Sequence, residues 1–305
     1  MDLLQSILYD MVYHSTPIIL CVIGGVFAYK ANVLNIALEG MMLCGAFIVM
    51  LVDFLTGNLA LAVSASILSV LLLGLIFSFF GITCKGNVIV VGLGINMLVS
   101  AIAGFVLKVM NSSNILINSL KVSDFKINIP VIENIPILGS LLSGHPLITY
   151  LSFLGIFLMW VLMYKTKFGI YVRVVGENED AARSLGLKVS FYRYMAILIG
   201  AFCCALAGIN LSLERLGLFT NDMTAGRGFV AIAAIYCGHG DPLVSAVYAI
   251  IFGLARSLSI NLSIFAGPAA GLFDVIPYVL MTIVLTVVSI YRYKNIKIRG
   301  FRINE

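Results

Sequence analysis

The 305-residue chain is 61% hydrophobic and only 11% charged, with a net charge of +5, whereas a globular domain is roughly half apolar and about a quarter charged. Stretches of about twenty apolar residues recur, each able to cross a hydrocarbon layer about 30 Å thick, which excludes a soluble protein with one core. Closed barrels would read as roughly ten-residue alternating segments, which are missing, so the chain reads as an all-α, polytopic helical membrane protein.

In chain order, the opening MDLLQSILYDMVYHSTP has no basic start and no small-residue cleavage site, so a removed signal peptide is not expected. Asp2, Asp10 and His14 interrupt it, and residues 1–15 read as a short interfacial segment. Apolar runs then predict spans at 16–31, 36–55, 58–80, 87–108, 147–164, 194–213, 225–238, 242–260 and 271–290. This gives nine transmembrane segments, within a range of eight to ten. The first and the seventh are short and glycine-rich, which suits a broken or re-entrant helix. Cys21, Cys44, Cys84, Cys203, Cys204 and Cys237 fall in or beside apolar runs without metal-ligand spacing, and read as small hydrophobes in helix packing.

Lys and Arg concentrate in inner loops. They mark residues 165–193 (Lys165, Lys167, Arg173, Arg183, Lys188, Arg193) and the basic tail 291–305 as cytoplasmic, with Lys30 and Lys85 at two further inner turns. The 109–146 connection and the N-terminus then lie outside. Pro130, Pro136 and Pro146 exclude one helix through the second half of that loop. It reads either as a partly extended lid toward an external partner or as a plain connection. The expected location is the plasma membrane, with one transmembrane domain over 16–290. The positive charge is a topology signal, and no basic–aromatic patch points to nucleic acid.

No enzyme site is visible. The sequence has no Walker A pattern, no Rossmann fingerprint after a strand, and no Ser/His/Asp, Cys/His or metal constellation; His14, His145 and His239 lie in unrelated segments. No metal or cofactor is expected on this chain, and movement across the membrane is the class of work that remains.

One stretch, VRVVGENEDAARSLGLKVS (172–190), concentrates charge: Arg173, Glu177, Glu179, Asp180, Arg183 and Lys188. Gly176 can release the chain from the preceding span. Asn178 is a good N-cap, with Glu179 and Asp180 in the first turn, where the helix dipole favours carboxylates. Ala181, Ala182, Arg183, Ser184 and Leu185 make two turns at most before Gly186 ends them. The segment reads either as a solvated loop that happens to be helical or as a compact peg for a groove on a soluble partner.

KTKFGIYVRVVGENEDAARSLGLKVS resembles the cytoplasmic coupling segment of ABC importer permeases of the superfamily that moves simple sugars, branched-chain amino acids and nucleosides. ANVLNIALEGMMLCGAF (31–47) resembles that family's N-x-G-L-E-G-like signature, with Ala37 where many members carry glycine. GLGINML (92–98), IPILGSLL (135–142), TAGRGFVAIAAIYCGHGDPL (224–243) and IPYVLMTIVL (276–285) match in order, so the resemblance covers about residues 16 to 290. Residues 31–47 and 224–243 are most similar to the nucleoside-type branch, whose members work with basic-membrane-protein lipoproteins. The resemblance implies a second permease chain, paralogous to this one, an external substrate-binding lipoprotein, and ABC ATPase subunits that use ATP and magnesium. It also implies that Gly176, Glu177, Asn178, Ala181, Ala182, Leu185 and Gly186 form the ATPase-coupling element, with Glu177 and the Ala181/Ala182 face making the contact.

For the substrate path, Asn35 and Glu39 are four apart and would share one helix face. A charge at the bilayer centre costs about 2.5–3.5 kcal/mol, so Glu39 must face protein or water, as a structural partner or as part of the path. Asn96 either bonds a base or ribose or joins two helices. Arg227, between Gly226 and Gly228, either faces a polar vestibule or pairs with Glu214; Phe229 either stacks on a nucleobase or packs. Arg256 and Asp274 are further buried-charge candidates. The alanines and glycine in GAFCCALAGINLS (200–212) read as close helix packing. A nucleoside importer permease is the first reading and a simple-sugar or branched-chain amino acid permease the second. An ion-coupled carrier is the alternative of a different class.

Overall fold

The computed structural model describes residues 3–118, 122–128, 139, 141, 143–263, 270–273 and 275–301, with side chains to residue 290. Eight helices are long and apolar enough to cross a membrane, and one shorter apolar helix joins them among the described residues. They are α1 (Leu3–Lys30), α2 (Leu38–Thr56), α3 (Leu59–Ser78, continued by a π turn over Phe79–Thr83), α4 (Val88–Val109) and α5 (Leu147–Lys165). Two short helices follow, α6 (Lys167–Glu177) and α7 (Glu179–Ser184). Then come α8 (Val189–Ile209, continued by a π segment over Asn210–Leu216), the short α9 (Arg227–Cys237), α10 (Pro242–Ser263), α11 (Ala270–Phe273) and α12 (Ile276–Phe301).

The local rules are visible at the helix ends. Asn58 and Asn87 each cap a helix by accepting two backbone N–H bonds, from Ala60 and Leu61 and from Ile89 and Val90. α2 stops at Gly57 in the left-handed region, φ 63°. α1, α2 and α8 form the buried centre, while Leu68, Met97, Phe157 and Val287 on α3, α4, α5 and α12 stay exposed, as lipid-facing residues do. The small residues of 200–212 do pack helices closely. A Cβ on Gly208 would stand 2.3 Å from the Met42 carbonyl oxygen, and one on Gly45 would meet the Ala205 backbone.

Two ends of the bundle can be told apart. At one, Arg193 at the start of α8 bonds the Ala31 carbonyl, Thr83 meets Tyr194, and Lys30 Nζ donates to the His239 carbonyl at 2.9 Å. At the other, β1 (Asn114–Leu116) pairs with β4 (Leu218–Thr220), β2 (Lys126–Ile127) pairs with β3 (His145–Pro146), and Tyr9 bonds the Gly144 carbonyl. Between β4 and α10 the chain passes from the second end to the first through a turn and α9, which at 11 residues is about half a span. Eight long helices plus this half-helix meet the expectation of nine segments, and the seventh is short as expected.

The first is not short. Residues expected as a separate interfacial segment are the start of α1, which runs through Pro17. Several of its polar side chains find partners inside the protein: Asp10 accepts from Asn261, Ser15 and Thr16 bond carbonyls one turn back, and the Arg215 guanidinium lies 3.3 Å from the centre of the Tyr13 ring. The expected tail is likewise helical, because α12 continues to Phe301. The outer loop is partly extended at β1 and β2; Pro130, Pro136 and most of IPILGSLL lie outside the described residues, as does Asp274.

Candidate functional site

Two irregular pieces of chain meet the middle of one helix inside the bundle: the segment 31–37 before α2 and the turn 221–226 before α9 come against α4. Asn35 was expected to share a helix face with Glu39, but it precedes α2. Its Oδ1 instead accepts from the Ala37 N–H at 3.0 Å, an Asx-type turn that redirects the chain into the helix. The helix start has no side-chain cap of its own. Asn96 supplies one from α4: its Oδ1 accepts from the Gly40 N–H at 2.8 Å and its Nδ2 donates to the Ile36 carbonyl at 3.0 Å. Its amide therefore joins two elements through one acceptor and one donor bond.

Glu39 reaches the other way. Its Oε1 accepts from the Gly226 N–H at 2.8 Å and its Oε2 from the Gly228 N–H, so one carboxylate caps the start of α9. The two glycines serve different needs. Gly226 has φ 75°, and a Cβ on Gly228 would stand 2.5 Å from the Glu39 nitrogen. Carboxylates are favoured at helix N-termini because the free N–H groups and the dipole both stabilise the charge. Arg227 does not meet Glu214, whose Oε2 takes the Asn210 amide. It folds back on its own turn, NH1 donating to the Met223 and Thr224 carbonyls. With Arg256 it borders a void of about 20 Å³, the size of one water.

Above this floor opens a cavity of about 860 Å³, lined by Glu39, Asn96 and Phe229 among the expected residues but not by Asn35 or Arg227. Its long wall is α4, where Asn96, Ser100, Gly104 and Lys108 recur every fourth residue. The opposite wall is the 221–226 turn, joined to α4 by the Ser100 hydroxyl, which donates to Asp222 Oδ1 at 2.8 Å. Phe105 and Phe229 add exposed rings. Phe229 also borders a second cavity of about 440 Å³ with Ile232, Tyr236 and Leu285, farther along α9 toward the Lys30 end. Ser100, Phe105, Asn221 and Asp222 were not anticipated, although the polar stripe at four-residue spacing in an otherwise apolar helix was a readable signal.

The 165–193 segment lies at the Lys30 end. Asn178 caps α7 as expected, accepting from the Ala181 N–H at 3.0 Å, and Gly186 follows the helix with φ 77°. Two details differ. Gly176 does not break the chain; it sits inside α6, where a Cβ would be 1.9 Å from the Lys30 carbonyl oxygen. Ala182 is wholly buried against Val175 and Val189, so it is not a free contact face with Ala181. The outward side is made by Glu177, Asn178, Ala181, Ser184 and Leu185, the last 73% exposed. Glu179 bridges Arg183 and Arg193, ions that hold its carboxyl below the usual range, the Arg183 hydrogen bond contributing most.

Residues 7–285 match the family described as branched-chain amino acid transport system / permease component. The chain belongs to this family. It is thus a multi-pass membrane permease, and the ion-coupled carrier is set aside. It is 31% identical over 264 residues to the nucleoside ABC transporter permease protein NupC of Lactococcus lactis, covering 84% of this chain and 83% of that one. It is 32% identical over 304 residues to the guanosine ABC transporter permease protein NupQ of Bacillus subtilis, covering 95% and 92%. A putative glucose ABC transporter permease protein of Haloferax volcanii, TsgC13, is 27% identical over 316 residues, covering 99% and 95%.

Proposed function

We propose that this permease is the membrane subunit of an ATP-driven importer for nucleosides. What carries the reading is the 860 Å³ cavity, in which a polar stripe faces a polar turn and two phenylalanine rings are exposed. A nucleoside has that division, a hydroxylated sugar and a planar base that stacks on aromatic faces. The relatives NupC and NupQ agree in their named substrates. A sugar, part of the runner-up reading, uses the polar wall but leaves the rings without a planar base, and a branched-chain amino acid has neither hydroxyls for the wall nor a planar group for the rings.

Asn35, Asn96 and Glu39 brace the floor of the path, and Phe229 separates the upper cavity from the lower one. Substrate enters from the outside, delivered by a binding lipoprotein, and leaves at the Lys30 end, which faces the cytoplasm together with the C-terminus. A second, paralogous permease chain completes the path across the exposed side of α4. ATPase subunits, which use ATP and magnesium, grip α7 through Ala181, Ser184 and Leu185.

The test is purification of the tagged permease from its native membrane and assay for ATP hydrolysis in the eluate. An ATPase is expected to co-purify, and to be lost in Leu185→Glu while the permease level stays unchanged. Ala182→Arg is the less useful variant, because it disrupts the packing beneath α7. A Leu185→Glu protein that retains its ATPase would refute this docking face.

A further inference from the structure

Asp222 is the least expected residue of the cavity. It is a carboxylate on the turn between β4 and α9, with its backbone in the left-handed region, φ 56°. Ala225 (φ 44°) shares that region, so two non-glycine residues of the five at 222–226 hold sparsely populated conformations, with Gly226 (φ 75°) beside them. Such clustering of strain is found at ligand clamps more than at plain connections. The Ser100 hydroxyl occupies Oδ1, and among the described residues Oδ2 has no hydrogen-bond partner. The group is exposed, and no cation pairs with it there. Asn221 stands beside it, its amide 3.4 Å from where a Gly104 Cβ would be.

A carboxylate held this way offers acceptors and no donors. Its natural complement is a pair of adjacent hydroxyls, whose bonds to an anion are short and about twice as strong as neutral ones. Acidic side chains recognise the ribose of dinucleotides by the same chemistry. Resting on the nucleoside reading above, we propose that Asp222 is a specificity-determining residue that accepts the 2′- and 3′-hydroxyls of a ribonucleoside. The Ser100 bond ties the turn to α4 through Oδ1 and leaves Oδ2 for the sugar. Ser100 is one turn, about 6 Å, from Asn96 along α4, so a sugar held at Asp222 leaves the base free to lie against Phe105 or Phe229. The same negative charge disfavours phosphorylated nucleosides.

The experiment measures uptake by the complete importer, with its ATPase and binding lipoprotein, of a labelled ribonucleoside and of its 2′-deoxy and 2′,3′-dideoxy analogues. All are supplied at saturating concentration, so that delivery is not limiting. Asp222→Asn is expected to lower the ribonucleoside rate about tenfold and the dideoxy rate by less than twofold, collapsing the preference. Ser100→Ala loosens the turn but keeps the carboxylate; it is expected to slow all substrates alike and to leave their ratios as in the wild type. Equal losses for all substrates in Asp222→Asn, or an unchanged preference, would show Asp222 to be only a brace and would overturn the inference while leaving the nucleoside reading intact. A wild-type importer that moves no ribonucleoside would overturn both.

Discussion

Replacing Glu39 by Gln tests the arrangement at its centre. The carboxylate accepts from two backbone N–H groups, of Gly226 and Gly228, at the start of α9. Hydrogen bonds to a charged group contribute about 1.5–3 kcal/mol each, and an unpaired buried donor costs about 1–3 kcal/mol. Gln keeps one acceptor oxygen but turns its amino group toward the second N–H, so one bond is lost and two donors face each other. A net loss of about 2–4 kcal/mol follows, a shift of roughly 30- to 900-fold in favour of an undocked α9. Ala225 is exposed in the cavity beside this joint and is a convenient reporter. The assay is the rate at which Ala225→Cys reacts with a membrane-impermeant maleimide in a Cys84→Ser background, since Cys84 is the exposed native thiol. Glu39→Gln is expected to raise that rate at least tenfold and to lower uptake by a similar factor, with the protein level nearly unchanged. Labelling and uptake both at wild-type rates would refute the reasoning, because the capping bonds would then contribute nothing.

Three further outcomes follow from the proposed coupling end. Gly176→Ala places a methyl group 1.9 Å from the Lys30 carbonyl oxygen, which neither backbone can yield without moving α6 off α1; uptake and ATPase co-purification should both be lost. Gly186→Ala meets no atom within 4 Å and bears only the strain of φ 77°, about 1–2 kcal/mol, so it should leave uptake largely intact. Because the Arg183 hydrogen bond and the Arg193 charge hold the Glu179 carboxyl below the usual glutamate range, its ion pairs are fully present above that range and are lost only as the pH falls through the lowered value. Coupling measured between pH 6 and 8 should therefore show no pH-dependence from this group, while Glu179→Gln weakens it equally across that whole range; a titration near neutrality removed by Glu179→Gln would contradict the sign.

Hydropathy located the crossings because lipid imposes length and composition on every span, and it placed the half-helix because α9 is too short for one. It failed at α1 for a physical reason. Asp10, His14, Ser15 and Thr16 lower the apolar average, yet they lie against protein rather than water, and a single-chain pattern cannot distinguish the two surroundings. The four-residue interval from Asn35 to Glu39 misled in the same way: spacing implies a shared face only if the helix has already begun, and the Asx turn at Asn35 comes first. Ala182 shows the limit on the coupling segment. Its small size was legible, but whether that smallness served an outside partner or the packing beneath α7 depended on Val175 and Val189 folding under it. The recurrence of Asn96, Ser100, Gly104 and Lys108 was legible throughout, since a polar stripe in a membrane helix must face protein or water.

The two halves of the proposed machine are joined through the end of α1, and the nature of the contacts there matters. Lys30 ends α1; its carbonyl is packed against Gly176 of α6, and its ammonium holds the His239 carbonyl just past the end of α9. A contact between two backbones has no rotamer to absorb displacement, in contrast to one made through a long side chain. In the proposed importer, movement of α6 and α7 therefore reaches the end of α1 directly and the end of α9 through the side chains of Lys30 and Tyr29, the Tyr29 ring lying against Tyr236. α9 is a single short helix, so displacement at its His239 end is delivered at its other end, where the Glu39 carboxylate, close backbone packing at Gly228 and the Tyr278 hydroxyl on the Ala225 carbonyl hold it. Breaking α9 free of a full span is what makes this possible: a half-helix can tilt within the bundle while the eight long helices keep their lipid contacts. The cavity floor and the coupling helix then lie at opposite ends of the same lever, which is the arrangement alternating access requires.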